Sequence, residues 1–245
     1  MKLIVLGNYG TFPGKNGACS GYLLQDKGVN ILIDCGNGVM SRLQNYCSIN
    51  DLDAIVLTHL HRDHTSDMHI LKYAIETMME FKTMNKAIKV YLPLTPFDEY
   101  KSFIYKDVYK LFSIQDRNTI DIKGIKVSFF EMSHSVESYG IRVENNGKVF
   151  SYSGDTVFND NIKSLAQNSD FFMCEATATE RMKSMAPNIP HLTPREAALI
   201  ASEAKVKLLG LTHFWFEEER ETYFKEAYQF FENVILSEEN KEYLF

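Results

Sequence analysis

The sequence predicts an α/β protein in which two β-sheets pack together and helices cover both outer faces, an αββα sandwich. Two strand-rich halves with helical segments interleaved between their strands lead to this prediction. In the first half, apolar runs predict strands at Lys2–Gly7, Gly21–Gln25, Asn30–Asp34, Ala54–Leu57 and Ile88–Leu92. In the second half, they predict strands at Ile125–Met132, Tyr139–Glu144, Lys148–Tyr152, Phe171–Cys174, Lys207–Leu211 and Val234–Leu236.

Helical periodicity appears between these strands. Apolar residues recur at helical spacing in the longest of these segments, which is rich in methionine. The predicted helices are Asp67–Met84, Phe97–Phe112, Pro194–Ala204 and Glu217–Phe231. No internal repeat and no Pro/Gly/Ser-rich linker interrupts the pattern, so residues 1–245 are predicted to form a single domain.

The composition is that of an ordinary globular protein, with 45% hydrophobic and 24% charged residues. The net charge of −6 is spread along the chain without a basic block, which disfavours a protein whose main task is to hold nucleic acid. An enzyme that acts on a small phosphate ester remains open, because bound cations can supply the positive charge.

The four cysteines are scattered, with no C-x-x-C pair, and the apolar run at the N-terminus is too short for a signal peptide. No apolar run reaches the length needed to span a membrane. Reduced thiols in a cytoplasmic protein are therefore expected.

The segment Thr58–Thr65, T-H-L-H-R-D-H-T, directly follows a predicted strand and concentrates metal-ligand side chains. It holds three of the seven histidines and one aspartate: His59, His61, Asp63 and His64. Imidazole and carboxylate are the usual ligands of zinc and similar ions. Residues two apart in an extended loop project to the same side, so His59 and His61 can hold one ion. Asp63 and His64, which start the next helix, can face a second ion.

Three later strands each end in a further ligand-type residue, namely His134, Asp155 and His213. Two ions of four or five ligands each need about this many groups, with one position left for water. Asp155, whose two oxygens can each reach one ion, is the natural bridge. The predicted ligands of the first ion are His59, His61, His134 and Asp155. Those of the second are Asp63, His64, Asp155 and His213. Zinc is the expected metal, with manganese and iron as alternatives.

Asp34 is a carboxylate at the end of another predicted strand. Two interpretations stay open for it. It either holds a ligand histidine through the far ring nitrogen, or it serves only the local turn.

The order Asp34, H-L-H-R-D-H, His134, Asp155 and His213 resembles the metallo-β-lactamase superfamily over essentially the whole chain. The resemblance implies a four-layer αββα sandwich of two mixed sheets. Histidine at position 61 argues against the di-iron oxidoreductase branch, whose pattern has a glutamate there.

A finer resemblance is to the ribonuclease Z branch, which carries a Glu-Ala-Thr motif and a later His-x-Thr motif. Here these are Glu175-Ala176-Thr177 and His191-Leu192-Thr193. The resemblance implies that His191 is the general acid for the leaving group and that Glu175 orients it. A carboxylate on the far imidazole nitrogen would raise the basicity of the ring and fix its tautomer. The other interpretation is that the two residues are a surface loop pair.

The chain departs from the branch in the interval from His134 to Asp155. Bacterial ribonuclease Z enzymes insert a long tRNA-binding arm there, whereas 155 − 134 = 21 residues, enough for one hairpin, separate the two positions here. A long grip on tRNA is therefore not expected. The resemblance also implies a homodimer, for which the apolar segments Asp67–Met84 and Phe97–Phe112 are the predicted contact.

The leading functional hypothesis is a dimetal phosphodiesterase for small or nucleotide-like substrates. Two ions about 3.5–4 Å apart would generate a bridging hydroxide that attacks phosphorus in line. Asp63 would orient this nucleophile or take its proton. The alternatives are a hydrolase of a carbonyl substrate (a thioester, lactone or β-lactam), a tRNA 3′-endonuclease, and a metal-binding protein without turnover.

Overall fold

The computed structural model describes residues 1–245, which divide into two compact units. The first unit comprises Met1–Ile114 and Glu239–Leu244, and the second comprises Gln115–Glu238 and Phe245. Each unit is built on its own seven-stranded sheet. Both sheets are mixed, because each contains antiparallel and parallel strand pairs.

Six consecutive strands form most of the first sheet. Their bounds are Lys2–Gly7 (β1), Gly21–Asp26 (β2), Val29–Ile33 (β3), Ala54–Val56 (β4), Ile88–Leu92 (β5) and Tyr109–Ser113 (β6). The first three pair antiparallel, and β3 to β6 pair parallel. All three residues of β4 are apolar and buried, which is typical of a parallel strand covered on both faces. Parallel pairing puts the carboxyl ends of β3 and β4 at one edge, so Asp34 and Thr58 emerge side by side.

Short helices follow the strands of the first unit. Their bounds are Val39–Leu43 (α1), Arg62–Thr65 (α2), Met68–Glu80 (α3) and Phe97–Ser102 (α4), with a 3₁₀ turn at Ile49–Asp51. The buried face of α3 consists of Met68, Leu71 and Ile75, which recur at helical spacing. These side chains join the apolar core formed with the strands, which anchors the segment that precedes α3.

The second sheet has the same sequence of pairings, three antiparallel followed by three parallel. Its strands are Thr119–Ile122 (β7), Ile125–Met132 (β8), Ser138–Asn145 (β9), Lys148–Tyr152 (β10), Phe171–Glu175 (β11), Leu209–Thr212 (β12) and Val234–Leu236 (β13). The hairpin between β9 and β10 turns at Asn146 and Gly147, whose φ angles of 49° and 73° suit the residues found there. The last strand, Glu242–Leu244 (β14), returns to the first sheet and pairs antiparallel with β1.

The helices of the second unit are Asp160–Ala166 (α5), Glu180–Met185 (α6), Pro194–Glu203 (α7) and Arg220–Tyr228 (α8). α7 begins with a capping box, in which the Thr193 side chain accepts from the Glu196 amide and the Glu196 side chain accepts from the Thr193 amide. Its buried alanines and Ile200 lie in a second apolar core. None of the eight helices is both long enough and apolar enough to cross a membrane.

The predicted helix Phe97–Phe112 is wrong in its second half. The helix ends at Ser102, and Tyr109–Ser113 is instead the edge strand β6. The aromatic residues Tyr109 and Phe112 of this segment favour a strand once a partner is available, and β5 provides that partner in parallel register. Lys106, with a φ of 44°, lies in the turn between the two elements.

Candidate metal centre

The loop after β4 places the imidazole rings of His59 and His61 close enough together to bind one metal ion. His59 Nε2 lies 3.1 Å from His61 Nδ1. Two nitrogens bound to one tetrahedral zinc at about 2.0–2.1 Å would be separated by about 3.3 Å. The pair is therefore spaced for one shared ion, with His59 offering Nε2 and His61 offering Nδ1. His59 is fully buried, so a cation there would be well shielded from water.

Asp34 is the buried anchor of this loop. Its carboxylate accepts hydrogen bonds from the Thr58 amide at 2.8 Å and from the Thr58 hydroxyl at 3.0 Å. His64 Nδ1 lies 2.8 Å from Asp34 Oδ2, which leaves Nε2 as the nitrogen that can bind an ion. Asp34 itself has a φ of 56°, a left-handed conformation that aspartate tolerates better than most residues. These contacts support the interpretation that Asp34 holds a histidine, and they exceed the needs of a local turn.

Asp63 and His64 lie in the one-turn helix α2, which begins at Arg62. Asp63 Oδ2 accepts a hydrogen bond from the Thr11 amide at 2.7 Å and lies 3.8 Å from His64 Nε2. The backbone around it is tightly packed, because a Cβ added to Gly36 would lie 2.0 Å from the Asp63 carbonyl oxygen. Glycine at position 36 is therefore required for this loop to approach the end of β3.

In the second unit, Asp155 lies among three imidazoles. Its Oδ2 is 3.4 Å from His213 Nε2 and 3.9 Å from His134 Nε2. Both Asp155 and His213 are almost completely buried. His134 Nδ1 lies 3.2 Å from the Pro190 carbonyl oxygen, which can only accept a hydrogen bond, so Nε2 is the ring nitrogen left to bind an ion. The two predicted histidine ligands of this unit, His134 and His213, therefore converge on one carboxylate oxygen of Asp155.

Glu175, which is fully buried, and His191, which is partly buried, form a pair beside these residues. His191 Nδ1 lies 3.0 Å from Glu175 Oε1 and 4.0 Å from Asp155 Oδ2. The His191 ring lies between two candidate ligands, with centroids 5.5 Å from that of His134 and 5.4 Å from that of His213. Glu175 is fully buried at the end of β11, so the pair is not an exposed loop contact.

Glu175, His191 and His213 also have the composition of a metal site, with one ligand atom from each within 4.8 Å of the others. The hydrogen bonds of Glu175 argue against an ion there. Oε1 accepts from the Thr156 amide and faces His191 Nδ1, while Oε2 accepts from the amide and the hydroxyl of Thr177. A carboxylate offers about four lone-pair positions, and all four are engaged. Glu175 therefore acts as an acceptor for its neighbours rather than as a metal ligand.

Sequence reasoning assigned no role to several polar groups at these sites. They are the hydroxyls of Thr58 and Thr177, the amide of Thr11 and the carbonyl of Pro190. Thr58 and Thr177 could have been noticed, because one precedes the first histidine and the other ends the Glu-Ala-Thr motif. The two backbone groups carry no side-chain signal, so only the folded chain reveals them.

Comparison with known protein families identifies the family of this chain. Residues 29–214 match the model of the Beta-lactamase superfamily domain. The chain belongs to the β-lactamase superfamily. A probable metallo-hydrolase of Bacillus subtilis, YhfI, is 29% identical over 213 residues, which cover 87% of this chain and 86% of YhfI. Ribonuclease Z of Archaeoglobus fulgidus is 25% identical over 296 residues, which cover 97% of this chain and 95% of the relative.

Solved structures confirm the predicted fold class. The crystal structure of YhfI, described as a metallo-β-lactamase fold protein, superposes with a TM-score of 0.91 at 27% identity over 99% of each chain. The structure of human tRNase Z, short form, gives a TM-score of 0.78 at 23% identity over 100% of this chain and 99% of that chain. This β-lactamase superfamily chain is thus an α/β sandwich of two mixed sheets with flanking helices, close to the ribonuclease Z-like branch.

The family and the site together define a coarse function. The protein is a metallo-hydrolase of the β-lactamase superfamily, and its clustered histidines and aspartates imply divalent metal ions. The nitrogen and oxygen donors described above fit such ions, because buried imidazole nitrogens of defined tautomer and a carboxylate are the ligands these ions take.

Proposed function

We propose that this member of the β-lactamase superfamily is a dimetal phosphodiesterase, with zinc as its metal. The observation that carries the proposal is the contact of His191 with the buried Glu175 beside Asp155. Attack on a carbonyl carbon needs no separate acid of this kind if the leaving group is a good one. A phosphodiester with a poor alkoxide leaving group benefits from a positioned proton donor.

The proposed ligands are the two groups of four that the sequence predicts, with Asp155 in both. The first group is His59, His61, His134 and Asp155, and the second is Asp63, His64, Asp155 and His213. When bound, two divalent ions supply a nucleophile from water near neutral pH and neutralise the charge that develops on the phosphoryl oxygens.

The side chains around the ions hold and move protons. The Glu175 carboxylate stabilises the protonated imidazole of His191, whose Nε2–H is then the proton that passes to the leaving oxygen. Asp63 is the proposed proton acceptor for the attacking water. The Thr11 amide orients the Asp63 carboxylate by donating to Oδ2.

The proposed substrate is small or nucleotide-like. Ribonuclease Z relatives support phosphodiester chemistry, whereas the interval between His134 and Asp155 argues against a long grip on tRNA. That interval holds only the hairpin of β9 and β10. A role as tRNA 3′-endonuclease is therefore the weaker form of the proposal.

We also propose a homodimer in the cytoplasm. α3 presents Ile70 and Tyr73 to solvent with 58% and 51% of their surface exposed, and Phe81, just after α3, is 75% exposed. Phe97 at the start of α4 adds a fourth exposed apolar side chain, at 54%. An exposed apolar set of this kind favours a protein contact.

All four cysteine thiols are unpaired, which fits a reducing compartment.

The test is hydrolysis of bis(p-nitrophenyl) phosphate beside a thioester and a β-lactam, with metal content measured on each preparation. The wild-type protein and His191→Ala are compared. We expect phosphodiester turnover that falls about 10²–10⁴-fold in the variant, with two ions per chain in both proteins.

Three other results would contradict the proposal. Turnover on the carbonyl substrates alone would assign the protein to a different branch and leave His191 without a role. Loss of metal in His191→Ala would make His191 a ligand instead of the proton donor. No turnover of any ester by the metal-loaded wild type would favour a metal-binding protein without catalysis.

A further inference from the structure

Two buried threonine hydroxyls occupy equivalent chemical positions in the two units. Thr58 Oγ1 lies 3.0 Å from Asp34 Oδ2 and 3.0 Å from His59 Nδ1. Thr177 Oγ1 lies 2.8 Å from Glu175 Oε2 and 2.7 Å from His213 Nδ1. In each case one hydroxyl joins a fully buried carboxylate to a fully buried histidine.

The donor inventory fixes the direction of these hydrogen bonds. An ionised carboxylate can only accept, so the single proton of each threonine hydroxyl goes to Asp34 or Glu175. The threonine oxygen must then accept from the histidine, which requires a proton on Nδ1 of His59 and of His213. The tautomer with bare Nε2 follows for both rings, and Nε2 is the atom that each ring would offer to an ion.

The two arrangements arise from different local sequences. Thr58 is the residue directly before His59, whereas Thr177 and His213 are 36 residues apart and lie after different strands. One carboxylate belongs to an aspartate and the other to a glutamate. The same histidine–threonine–carboxylate arrangement therefore occurs twice, with different residues and different chain connections. One local loop conformation would not produce both.

Each carboxylate also holds a second histidine directly, without a hydroxyl between them. Asp34 lies 2.8 Å from His64 Nδ1, and Glu175 lies 3.0 Å from His191 Nδ1. One carboxylate thereby sets the proton positions of two rings, one by direct contact and one through the threonine. Without the hydroxyl, the second ring would have no acceptor from this carboxylate.

We propose that Thr58 and Thr177 are positioning residues for metal binding, each fixing the tautomer of one ligand, His59 and His213 respectively. The inference rests on the metal ligands assigned in the proposed function. Because His59 belongs to the first group and His213 to the second, each threonine acts on a different ion. Partners that orient metal ligands from behind typically change metal affinity by about tenfold to a hundredfold when they are removed.

The experiment measures stepwise zinc affinity by competition with a chromogenic chelator, using the full chain. The variants are Thr58→Val and Thr177→Val, which keep the shape but remove the hydroxyl, and Thr58→Ser and Thr177→Ser, which restore it. Ser151→Ala is the control, because it removes a buried hydroxyl that contacts Ser169 and the Leu165 carbonyl instead of a histidine.

We expect each valine variant to lower the affinity for one of the two zinc ions by about tenfold to a hundredfold and to leave the affinity for the other unchanged. The serine variants and Ser151→Ala should bind both ions as the wild type does. Valine variants that bind zinc like the wild type would overturn the inference. Serine variants that bind zinc as weakly as the valine variants would also overturn it, because that result would show an effect of packing alone.

Nitrogen-15 NMR of the histidine rings in zinc-free wild-type protein tests the same inference without any variant. His59 and His213 should show protonated Nδ1 and bare Nε2, and protonated Nε2 on either ring would overturn it. The outcome is separable from that of the proposed function. Wild-type protein that takes up no zinc would refute the dimetal proposal, whereas two bound ions with insensitive threonine variants would refute only this inference.

Discussion

At the scale of single residues, Asp155 is the most sensitive position, because both proposed ions depend on it. Asp155→Ala is expected to lower the metal content from two ions per chain to less than one. Phosphodiester hydrolysis should fall at least about 10³-fold, since the ions supply several kcal/mol of transition-state stabilisation. Elemental analysis and turnover of bis(p-nitrophenyl) phosphate check the two effects. Asp160→Ala, an exposed aspartate at the start of α5, is the matched control and should change neither.

Sequence reasoning reached the ligand-type residues of the candidate site but not the groups that orient them. Histidines two apart after a strand, and single ligand residues after later strands, are visible in the printed chain. The partner of each far ring nitrogen is not visible, because hydroxyls and carbonyls occur throughout the sequence. Thr177 shows the limit, since its neighbour His213 comes from a distant strand. The ligand roles themselves stay predictions until metal is measured.

At the scale of elements, Arg62 connects the ligand loop to α3 and α4. Its guanidinium donates to His69 Nε2 at 2.6 Å and lies 2.7 Å from the Glu99 carboxylate. Burial and then the charges of Arg62 and Lys72 lower the pKa of His69 from its ordinary value of 6.5, against an opposing effect of Glu99. The His69 ring also stacks on Phe103, with centroids 5.2 Å apart.

This arrangement predicts a pH dependence of stability. The folded state resists protonation of His69 more than the unfolded state does, so the unfolded state binds more protons as the pH falls below about 6.5. The free energy of unfolding should therefore decrease from pH 7 to pH 5.5. His69→Phe keeps the stacking and removes the titration, so its decrease should be smaller. Denaturant unfolding of both proteins at matched metal content measures the difference, and parallel curves would contradict the prediction.

The threonine of the His-x-Thr motif has a structural role at the start of α7. Thr193→Ala removes half of the capping box and should lower the free energy of unfolding by about 1 kcal/mol, with about 2 kcal/mol as the upper range. Ser202→Ala, at an exposed position late in the same helix, should stay within about 0.5 kcal/mol of the wild type. Denaturant melts give both values. An unchanged Thr193→Ala would mean that the cap is redundant.

Element prediction succeeded where local signals and tertiary pairing agree. Thr193, followed by Pro194 and then by Glu196 three residues after the threonine, marks the beginning of α7 in the sequence and in the structure. The Tyr109–Ser113 segment failed because its strand state depends on pairing with β5. That contact is invisible to a reading of neighbouring residues.

At the scale of the whole molecule, the proposed dimer can be tested on the exposed side chains of α3. Ile70→Asp combined with Phe81→Asp should convert a dimer into a monomer, because two charges would have to be buried in the contact. Light scattering coupled to size exclusion measures the mass. Phe158→Asp, another exposed aromatic in the second unit, is the control and should leave the dimer intact. A wild-type monomer would refute the proposal directly.

The fold class was predictable because strand-forming runs and ligand residues at strand ends occur together in both halves. The pairing of β14 with β1, which completes the first sheet, was not predictable. β14 is only three residues long, and it pairs with β1 through contacts such as Leu3 with Tyr243, which are separated by nearly the whole chain. A short terminal run with such a distant partner carries no local signal.

The four hydrogen bonds on Glu175 bear on how the protein tolerates surplus zinc. A third ion bound by Glu175, His191 and His213, which offer suitable ligand types, would block the proposed proton donor. Because every acceptor position of Glu175 is engaged, an inhibitory ion would have to break buried hydrogen bonds to enter. The dose–response to zinc should therefore remain flat well beyond two equivalents. Inhibition that disappears in Glu175→Gln would show instead that this group does capture a third ion.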